Sequence, residues 1–217
     1  MVQETFTLGV EEEYQLVDPV TRALKPRGDR VLGQAQRTLG DAVQPELLRA
    51  QLEAVSPVCH TLADVRAALR HARRTVIAGA AADGNQIAAA GTHPFSHWDA
   101  QEITPKARYQ GIADEYQQLA REQVVCGCHV HVGLHDRDAA IHVLNRARIW
   151  LAPLLALAAN SPFWLGSDTG YASYRTQLWG RFPMAGQPAL FGSRADYDAL
   201  VRALVATGSI EDATKIY

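Results

Sequence analysis

The chain has 217 residues, of which 47% are hydrophobic and 20% charged, and its formal net charge is −2. This composition is typical of a folded protein and excludes a disordered or fibrous chain. A net charge this small does not indicate the basic surface that nucleic-acid binding requires. The longest apolar stretch, residues 149–159, is too short to span a bilayer. We therefore expect neither a nucleic-acid nor a membrane partner.

Hydrophobic periodicity predicts strands alternating with helices, which indicates a mixed α/β or α+β sheet domain. The predicted strands are 5–17, 47–55, 87–91 and 124–134. The predicted helices are 28–39, 62–82, about 109–119, 138 to about 155, and 196–206. Thr61 and Asp64 have the spacing of an N-terminal cap, and Pro153 should kink or divide the fourth helix.

Compartment and redox state follow from the N-terminus and the cysteines. Residues 1–4 lack the basic and apolar regions of a secretion signal. The chain has an odd number of cysteines, Cys59, Cys126 and Cys128, and their spacing does not indicate a set of disulfide bonds. We expect a cytoplasmic protein with reduced thiols.

The first strand carries paired carboxylates. Because side chains alternate along a strand, Glu11 and Glu13 point to one face and Glu12 to the other. Two carboxylates on one face repel each other and suit a hard cation between them. A solvated acidic edge strand is the structural alternative.

The later strand carries the sequence His129-Val130-His131. Its two imidazoles share a face and could bind a metal, although a hydrogen-bonded buried pair explains them equally well. We also considered that Cys128 lies on their face and supplies a thiolate, but the spacing does not match known structural zinc sites. A sheet could bring Glu53 beside Glu11 and Glu13, and three carboxylates with one imidazole suit Mg²⁺ or Mn²⁺ better than Zn²⁺.

Two loops combine polar and aromatic residues. The stretch 161–188 includes Arg175 and Arg181, whose guanidinium groups could bind carboxylate or phosphate, or could instead pair within a surface loop. Thr92 and His93 follow a predicted strand end, where open sheets often bind ligands, and Arg108 follows closely. The chain has neither a P-loop nor a Rossmann glycine motif.

Several motifs together resemble the carboxylate–amine ligases of the glutamate–cysteine ligase type 2 family. They run in order along essentially the whole chain and are Gly9-x-Glu11-x-Glu13, Glu53 before Ser56-Pro57-Val58-Cys59, Gly91-Thr92-His93-Pro94, Cys126-Gly127-x-His129-Val130-His131-Val132-Gly133, and Asn160-Ser161-Pro162 through Ser173-x-Arg175. More distantly, the paired-histidine strand is similar to glutamine synthetase.

The resemblance implies an α+β, glutamine-synthetase-like fold, a curved and mostly antiparallel sheet with helices on its outer face. It implies an ATP-dependent ligase that forms an amide through an acyl phosphate, with glutamate's γ-carboxylate as the acid and cysteine or another amine as the nucleophile. The implied cofactors are ATP and Mg²⁺ or Mn²⁺, the partners are small molecules, and a homo-oligomer is compatible with it.

The resemblance also assigns roles to individual residues. Glu11, Glu13, Glu53 and His129 would bind metal. His131 and Arg175 would contact the nucleotide, Arg175 and Arg181 would act in catalysis, and Thr92, His93 and Arg108 would bind substrate.

Length is where this chain departs from the family. Family chains continue beyond this one, so we expect residues 1–217 to form a single ligase domain without the C-terminal part of the family fold. Two other functions are compatible with the residues. One is a metal-dependent hydrolase that uses the histidine pair and carboxylates to activate water, and the other is a non-catalytic remnant that acts as a binding module.

Overall fold

The computed structural model describes residues 6–216, apart from the side chain of residue 215. The strands are β1 Thr7–Val17, β2 Val43–Pro45, β3 Gln51–Val55, β4 Gln86–Ala88, β5 Cys128–Gly133, β6 Phe163–Trp164 and β7 Ser167–Asp168. The helices are α1 Gly28–Leu39, α2 Leu62–Ala82, α3 Ala107–Tyr116, α4 Gln118–Arg121, α5 Arg137–Ala147, α6 Leu151–Ala158, α7 Tyr174–Trp179 and α8 Arg194–Ala206.

A five-stranded antiparallel sheet is built around β1. One edge of β1 pairs with β3, which pairs in turn with β2. The other edge of β1 pairs with β5 along its first half and with β4 along its last residues. β1 is therefore the only described strand that touches three others, and its side chains lie at the centre of the sheet.

One face of the sheet packs on α1 and α2. Tyr14 and Leu16 of β1 meet Leu52 of β3 on this face, and Val31 of α1 and Val76 of α2 cover them. All five side chains are almost completely buried. Because strand residues alternate, this helix-covered face takes the even-numbered residues of β1 and leaves the odd-numbered ones on the opposite face.

A buried ion pair joins this helix layer to the sheet. Glu12 of β1 is buried among the core residues, and the guanidinium of Arg73 on α2 donates to both of its carboxylate oxygens at 2.6 Å. The Tyr14 hydroxyl donates to the same carboxylate. This bidentate geometry fixes α2 against β1.

Side-chain N-caps begin α2, α5 and α8. Thr61 accepts from the Asp64 amide at 3.1 Å and Asp64 accepts from the Thr61 amide at 2.9 Å, which confirms the predicted cap of α2. The long helix predicted after residue 138 is divided, with Pro153 in the first turn of α6. Its N-cap is Asp136 rather than Asp138, because the Asp136 carboxylate reaches the Asp138 amide.

Several predicted elements differ from the structure in their bounds or number. The strand predicted at 47–55 is shorter, and residues 43–45 form an additional strand, β2, which the sequence pattern did not reveal. The helix predicted at 109–119 breaks into α3 and α4 because Gln117 has a φ of +50°, which ends the regular helical backbone.

The described residues group into two compact units. The larger contains the chain up to Gly133 together with Asn160–Arg175, and the smaller contains Leu134–Ala159 and the residues from Thr176 onward. The single domain expected for residues 1–217 stays a prediction. Among the described helices, none has both the length and the hydropathy to cross a membrane.

Candidate functional site

The face of the sheet opposite the helices carries the predicted metal ligands. Glu11 lies directly opposite His129 of β5, and Glu13 lies directly opposite Glu53 of β3. His131 follows two residues after His129 and shares its face. The antiparallel register brings these side chains from three strands to one place.

Glu11 is the centre of this group. One of its oxygens is 3.1 Å from Nδ1 of His129, and the other is 3.3 Å from Nε2 of His131. Ligand atoms from Glu11, Glu53 and His129 all lie within 4.8 Å of one another. These distances suit side chains that surround one cation, because two carboxylates and an imidazole converge there.

Glu13 is more deeply placed than Glu11. Its carboxylate accepts a hydrogen bond from the Gly127 amide at 2.8 Å. Burial raises the pKa of Glu13, while that hydrogen bond and the charges of His129 and Arg175 oppose the increase. A cation bound here would favour the ionised form that burial disfavours.

Glu46 belongs to the same carboxylate group, although it was absent from the sequence predictions. Burial raises the pKa of Glu46, and the negative charge of Glu13 raises it further. Burial also raises the pKa of Glu53, with Glu46 as the next largest cause. The four carboxylates are thus Glu11, Glu13, Glu46 and Glu53. Pairing of β2 with β3 brings Glu46 here, and the sequence had no signal for β2.

We predict that Glu46→Gln stabilises the metal-free protein at neutral pH. A carboxyl group with a raised pKa binds more protons folded than unfolded between its ordinary pKa of 4.5 and the raised value. The free energy of unfolding therefore falls as pH rises through that window, and glutamine removes this loss. Thermal melts should show a variant advantage at neutral pH that disappears towards about pH 4.5.

The control for this measurement is Glu115→Gln, at an exposed position of α3. Its melting temperature should follow the wild type at every pH. A constant difference between Glu46→Gln and wild type across the pH range would contradict the prediction, because a packing change alone does not depend on protons.

Arg175 reaches this face through the backbone of residue 126. Its Nε donates to the carbonyl of Cys126 at 2.7 Å, and its own amide donates to the Ser161 hydroxyl at 3.3 Å. One terminal nitrogen of its guanidinium lies 3.1 Å from the point where a Cβ on Gly127 would stand. A Glu13 oxygen lies 3.1 Å and Nε2 of His129 lies 3.4 Å from the same point. A guanidinium, a carboxylate and an imidazole therefore face one small space above Gly127.

The predicted substrate residues have different positions. Arg108 is exposed on α3, and its charge acts on the carboxyl groups of Glu46 and Glu53. Thr92 is buried and donates its hydroxyl to the Phe163 carbonyl at 2.8 Å. Both substrate roles stay predictions.

His93 forms hydrogen bonds to the backbone through both ring nitrogens. Nδ1 accepts from the Ser96 amide at 2.9 Å, so Nε2 carries the proton and donates to the Arg22 carbonyl at 2.9 Å. Burial lowers the pKa of His93, which favours this neutral form. This geometry holds the turn at His93 and Ser96, and the role of His93 in substrate binding stays a prediction.

Arg181 lies in the smaller unit, where its Nε donates to the Leu178 carbonyl at 3.4 Å. Its catalytic role stays a prediction.

The cysteines do not supply a metal ligand beside the histidines. The thiolate alternative was wrong, because Cys128 lies opposite Glu12 on the other face from His129. Cys126 is buried, and burial raises the pKa of its thiol, which suits a packing role.

Sequence comparison identifies the protein family of this chain. The sequence profile of glutamate–cysteine ligase family 2 matches residues 7–216. The chain belongs to this family. A Rhodopirellula baltica protein named "Putative glutamate–cysteine ligase 2" is 48% identical over 216 residues, or 97% of this chain and 58% of that protein. A protein of the same name in Roseiflexus castenholzii is 44% identical over 212 residues, or 98% and 56%.

This glutamate–cysteine ligase family 2 chain spans just over half the length of these curated relatives. Two solved structures share its fold. A bifunctional glutathione synthetase from Pasteurella multocida has a TM-score of 0.70 at 16% identity, covering 98% of this chain and 32% of that one. A glutamate–cysteine ligase from Francisella tularensis in complex with AMP has a TM-score of 0.71 at 11% identity, covering 94% and 48%. The predicted α+β fold class is confirmed.

Proposed function

We propose that this chain carries the metal and nucleotide face of an ATP-dependent carboxylate–amine ligase. The observation that supports this most directly is the convergence of Glu11, Glu53 and His129, whose ligand atoms lie within 4.8 Å of one another. A face that also carries Glu13 and Arg175 provides both negative groups for a cation and a positive group for an anionic substrate.

Mg²⁺ or Mn²⁺ fits the donors on this face. Oxygen ligands predominate, and burial together with a neighbouring carboxylate raises the pKa of three of the four carboxyl groups, those of Glu13, Glu46 and Glu53. Glu11, Glu13, Glu53 and His129 would hold the cations, with Glu46 beside them. When bound, such cations neutralise the charge of nucleotide phosphates during phosphoryl transfer.

The remaining polar groups position the substrates. Arg175 is fixed through Nε on the Cys126 carbonyl, and one of its terminal nitrogens lies beside the space above Gly127 that Glu13 also faces. A guanidinium fixed in this way can bind a phosphate or carboxylate without losing side-chain freedom on binding. His131, held beside Glu11, would donate to a phosphate oxygen or complete the metal ligands.

The substrates follow from the family. Relatives carry glutamate–cysteine ligase in their names, and a solved fold neighbour is described in complex with AMP. We infer that ATP phosphorylates the γ-carboxylate of glutamate and that cysteine or another amine attacks the acyl phosphate. The protein chain would supply orientation and charge, since phosphoryl transfer needs little covalent chemistry from a protein.

The test is a phosphate-release assay with purified chain, ATP, Mg²⁺, glutamate and a panel of amines. Release should require all four components together, and mass spectrometry should detect the amide. The same assay on a version extended to the length of the relatives shows whether activity also needs a segment that follows residue 217 in that version. Release without acid and amine would favour the hydrolase alternative. Absence of ATP binding at millimolar metal in the longer version would favour a non-catalytic module.

Other properties stay predictions. They are the cytoplasmic location, a homo-oligomer, the absence of nucleic-acid and membrane partners, and the roles of Thr92, His93 and Arg108 in substrate binding. The amide product should reveal which amine is used, and sedimentation of the purified protein should give the oligomeric state.

A further inference from the structure

We propose that Gln51 is a positioning residue that fixes the segment Val125–Gly127 and, through that segment, the orientation of Glu13 and Arg175. The inference rests on the proposed function of this face, because it assigns Gln51 an effect on the metal and anion groups. Gln51 itself touches none of the groups expected to contact substrate.

The contacts of Gln51 lead directly to the segment. Its side chain is buried, with only 2% exposure. Its amide nitrogen donates to the Val125 carbonyl at 2.5 Å and lies 3.7 Å from the Cys126 thiol. Gln51 is the first residue of β3, so its backbone is anchored in the sheet two residues before Glu53. The amide group that donates to the segment is therefore held by a paired strand.

The other polar groups of the segment hold the functional side chains. The Cys126 carbonyl accepts from Nε of Arg175 at 2.7 Å, and the Gly127 amide donates to the Glu13 carboxylate at 2.8 Å. The Gly127 carbonyl accepts from the Glu13 amide at 3.1 Å. A displacement of this backbone would therefore move a carboxylate and a guanidinium together.

Gln51 joins one end of the segment to β3. The Cys126 amide donates to the Gly91 carbonyl at 3.1 Å and ties the segment to a loop, and the bonds of Gly127 to Glu13 tie its other end to β1, whereas Gln51 ties Val125 to β3. Without the Gln51 amide, the Val125 carbonyl would lose a buried partner, and the segment could shift relative to β1 and β3.

Gln15 provides a matched comparison. It lies directly opposite Gln51 in the β1–β3 pair, and its side chain is completely buried. Within the described part of the chain, neither its amide nitrogen nor its amide oxygen has a hydrogen-bond partner. Gln15→Met and Gln51→Met each remove one buried amide group, from facing positions of β1 and β3. Only the Gln51 change also removes a bond to the segment.

The experiment compares Gln51→Met with Gln15→Met in the complete purified chain. We expect Mn²⁺ to bind about tenfold more weakly to Gln51→Met, the scale for partners that orient metal ligands. Gln15→Met should bind Mn²⁺ with the wild-type affinity. In nitrogen–proton NMR spectra, the Gly127 amide resonance should shift in Gln51→Met because its bond to Glu13 changes. Gln15→Met should leave that resonance in place.

The outcomes are separable from the proposed function. Unchanged Mn²⁺ affinity together with an unchanged Gly127 resonance in Gln51→Met would overturn the positioning role. If the wild type itself binds no Mn²⁺, the proposed function fails, and the Gly127 resonance still tests the positioning role. If Gln51→Met does not fold, Gln51→Asn replaces it, because the shorter amide cannot reach Val125 and should give the same two changes.

Discussion

Gly127→Ala should reduce ligase turnover by about 100-fold while leaving the fold intact, because a methyl group would enter the space that the functional groups face. Its Cβ would lie 3.1 Å from both an Arg175 nitrogen and a Glu13 oxygen, and 3.4 Å from Nε2 of His129. These atoms end flexible side chains, so each can yield by a few tenths of an ångström. The protein then folds with the proposed metal-binding and anion-binding groups displaced and with less room for a substrate.

The expected stability of Gly127→Ala separates this effect from misfolding. Gly127 is not among the described residues with a positive φ, so alanine can adopt its backbone conformation without strain. Alanine also reduces the freedom of the unfolded chain, which stabilises a protein by about 0.4–1 kcal/mol where the conformation is compatible. The measurement is phosphate release in the presence of ATP, Mg²⁺, acid and amine, beside a thermal melt.

Gly33→Ala is the control for this experiment. A Cβ at Gly33 on α1 would meet no atom within 4 Å, so this variant should retain full turnover. Equal turnover of Gly127→Ala and wild type would show that the space above Gly127 is not used by substrate or metal. A melting temperature that collapses only in Gly127→Ala would show that the side chains cannot yield.

Arg73→Ala should destabilise the protein by about 2–3 kcal/mol, because it leaves the buried Glu12 carboxylate without its ionic partner. The Glu12 side chain is 8% exposed and that of Arg73 is 49% exposed. The guanidinium is therefore partly solvated, and the main penalty comes from the carboxylate. The Tyr14 hydroxyl remains as a donor and limits the loss.

Arg74→Ala is the matched control for Arg73→Ala. Arg74 is the next residue of α2 and exposed, and among the described residues no ion pair involves it. Urea denaturation should place it within about 0.5 kcal/mol of the wild type. Equal losses in the two variants would indicate that helix propensity, and not the Glu12 ion pair, determines the effect.

Local patterns predicted much of the fold. The bounds of α1 and α2 agree with the prediction, and so does the cap formed by Thr61 and Asp64. These features depend on neighbours within one or two helical turns, which the sequence displays directly. β2 has only three residues, too few for a periodic pattern, and is defined by pairing with β3.

The candidate site likewise has features that the sequence pattern predicted and features that only strand pairing could reveal. Strand alternation alone placed Glu11 with Glu13, and His129 with His131, on common faces, and the register confirms both. Applied to Cys128, the same alternation should have placed it on the opposite face, as the structure shows. The contact of Glu53 with Glu11 was an inference that only strand pairing could test.

The sequence by itself determined which residues share a strand face and which family the motifs resemble. Strand alternation and each motif depend only on residues that are close together in the sequence. Only the tertiary structure decided that Glu46 joins the carboxylates, that Gly127 leaves a space among three functional groups, and that Gln51 holds the segment beside them. Those relations link residues that are far apart in the sequence, since Glu13 and Glu46 are 33 positions apart, Gln51 and Val125 are 74 apart, and Glu13 and Gly127 are 114 apart. No local periodicity encodes such contacts, since they depend on how antiparallel strands and loops pack around β1.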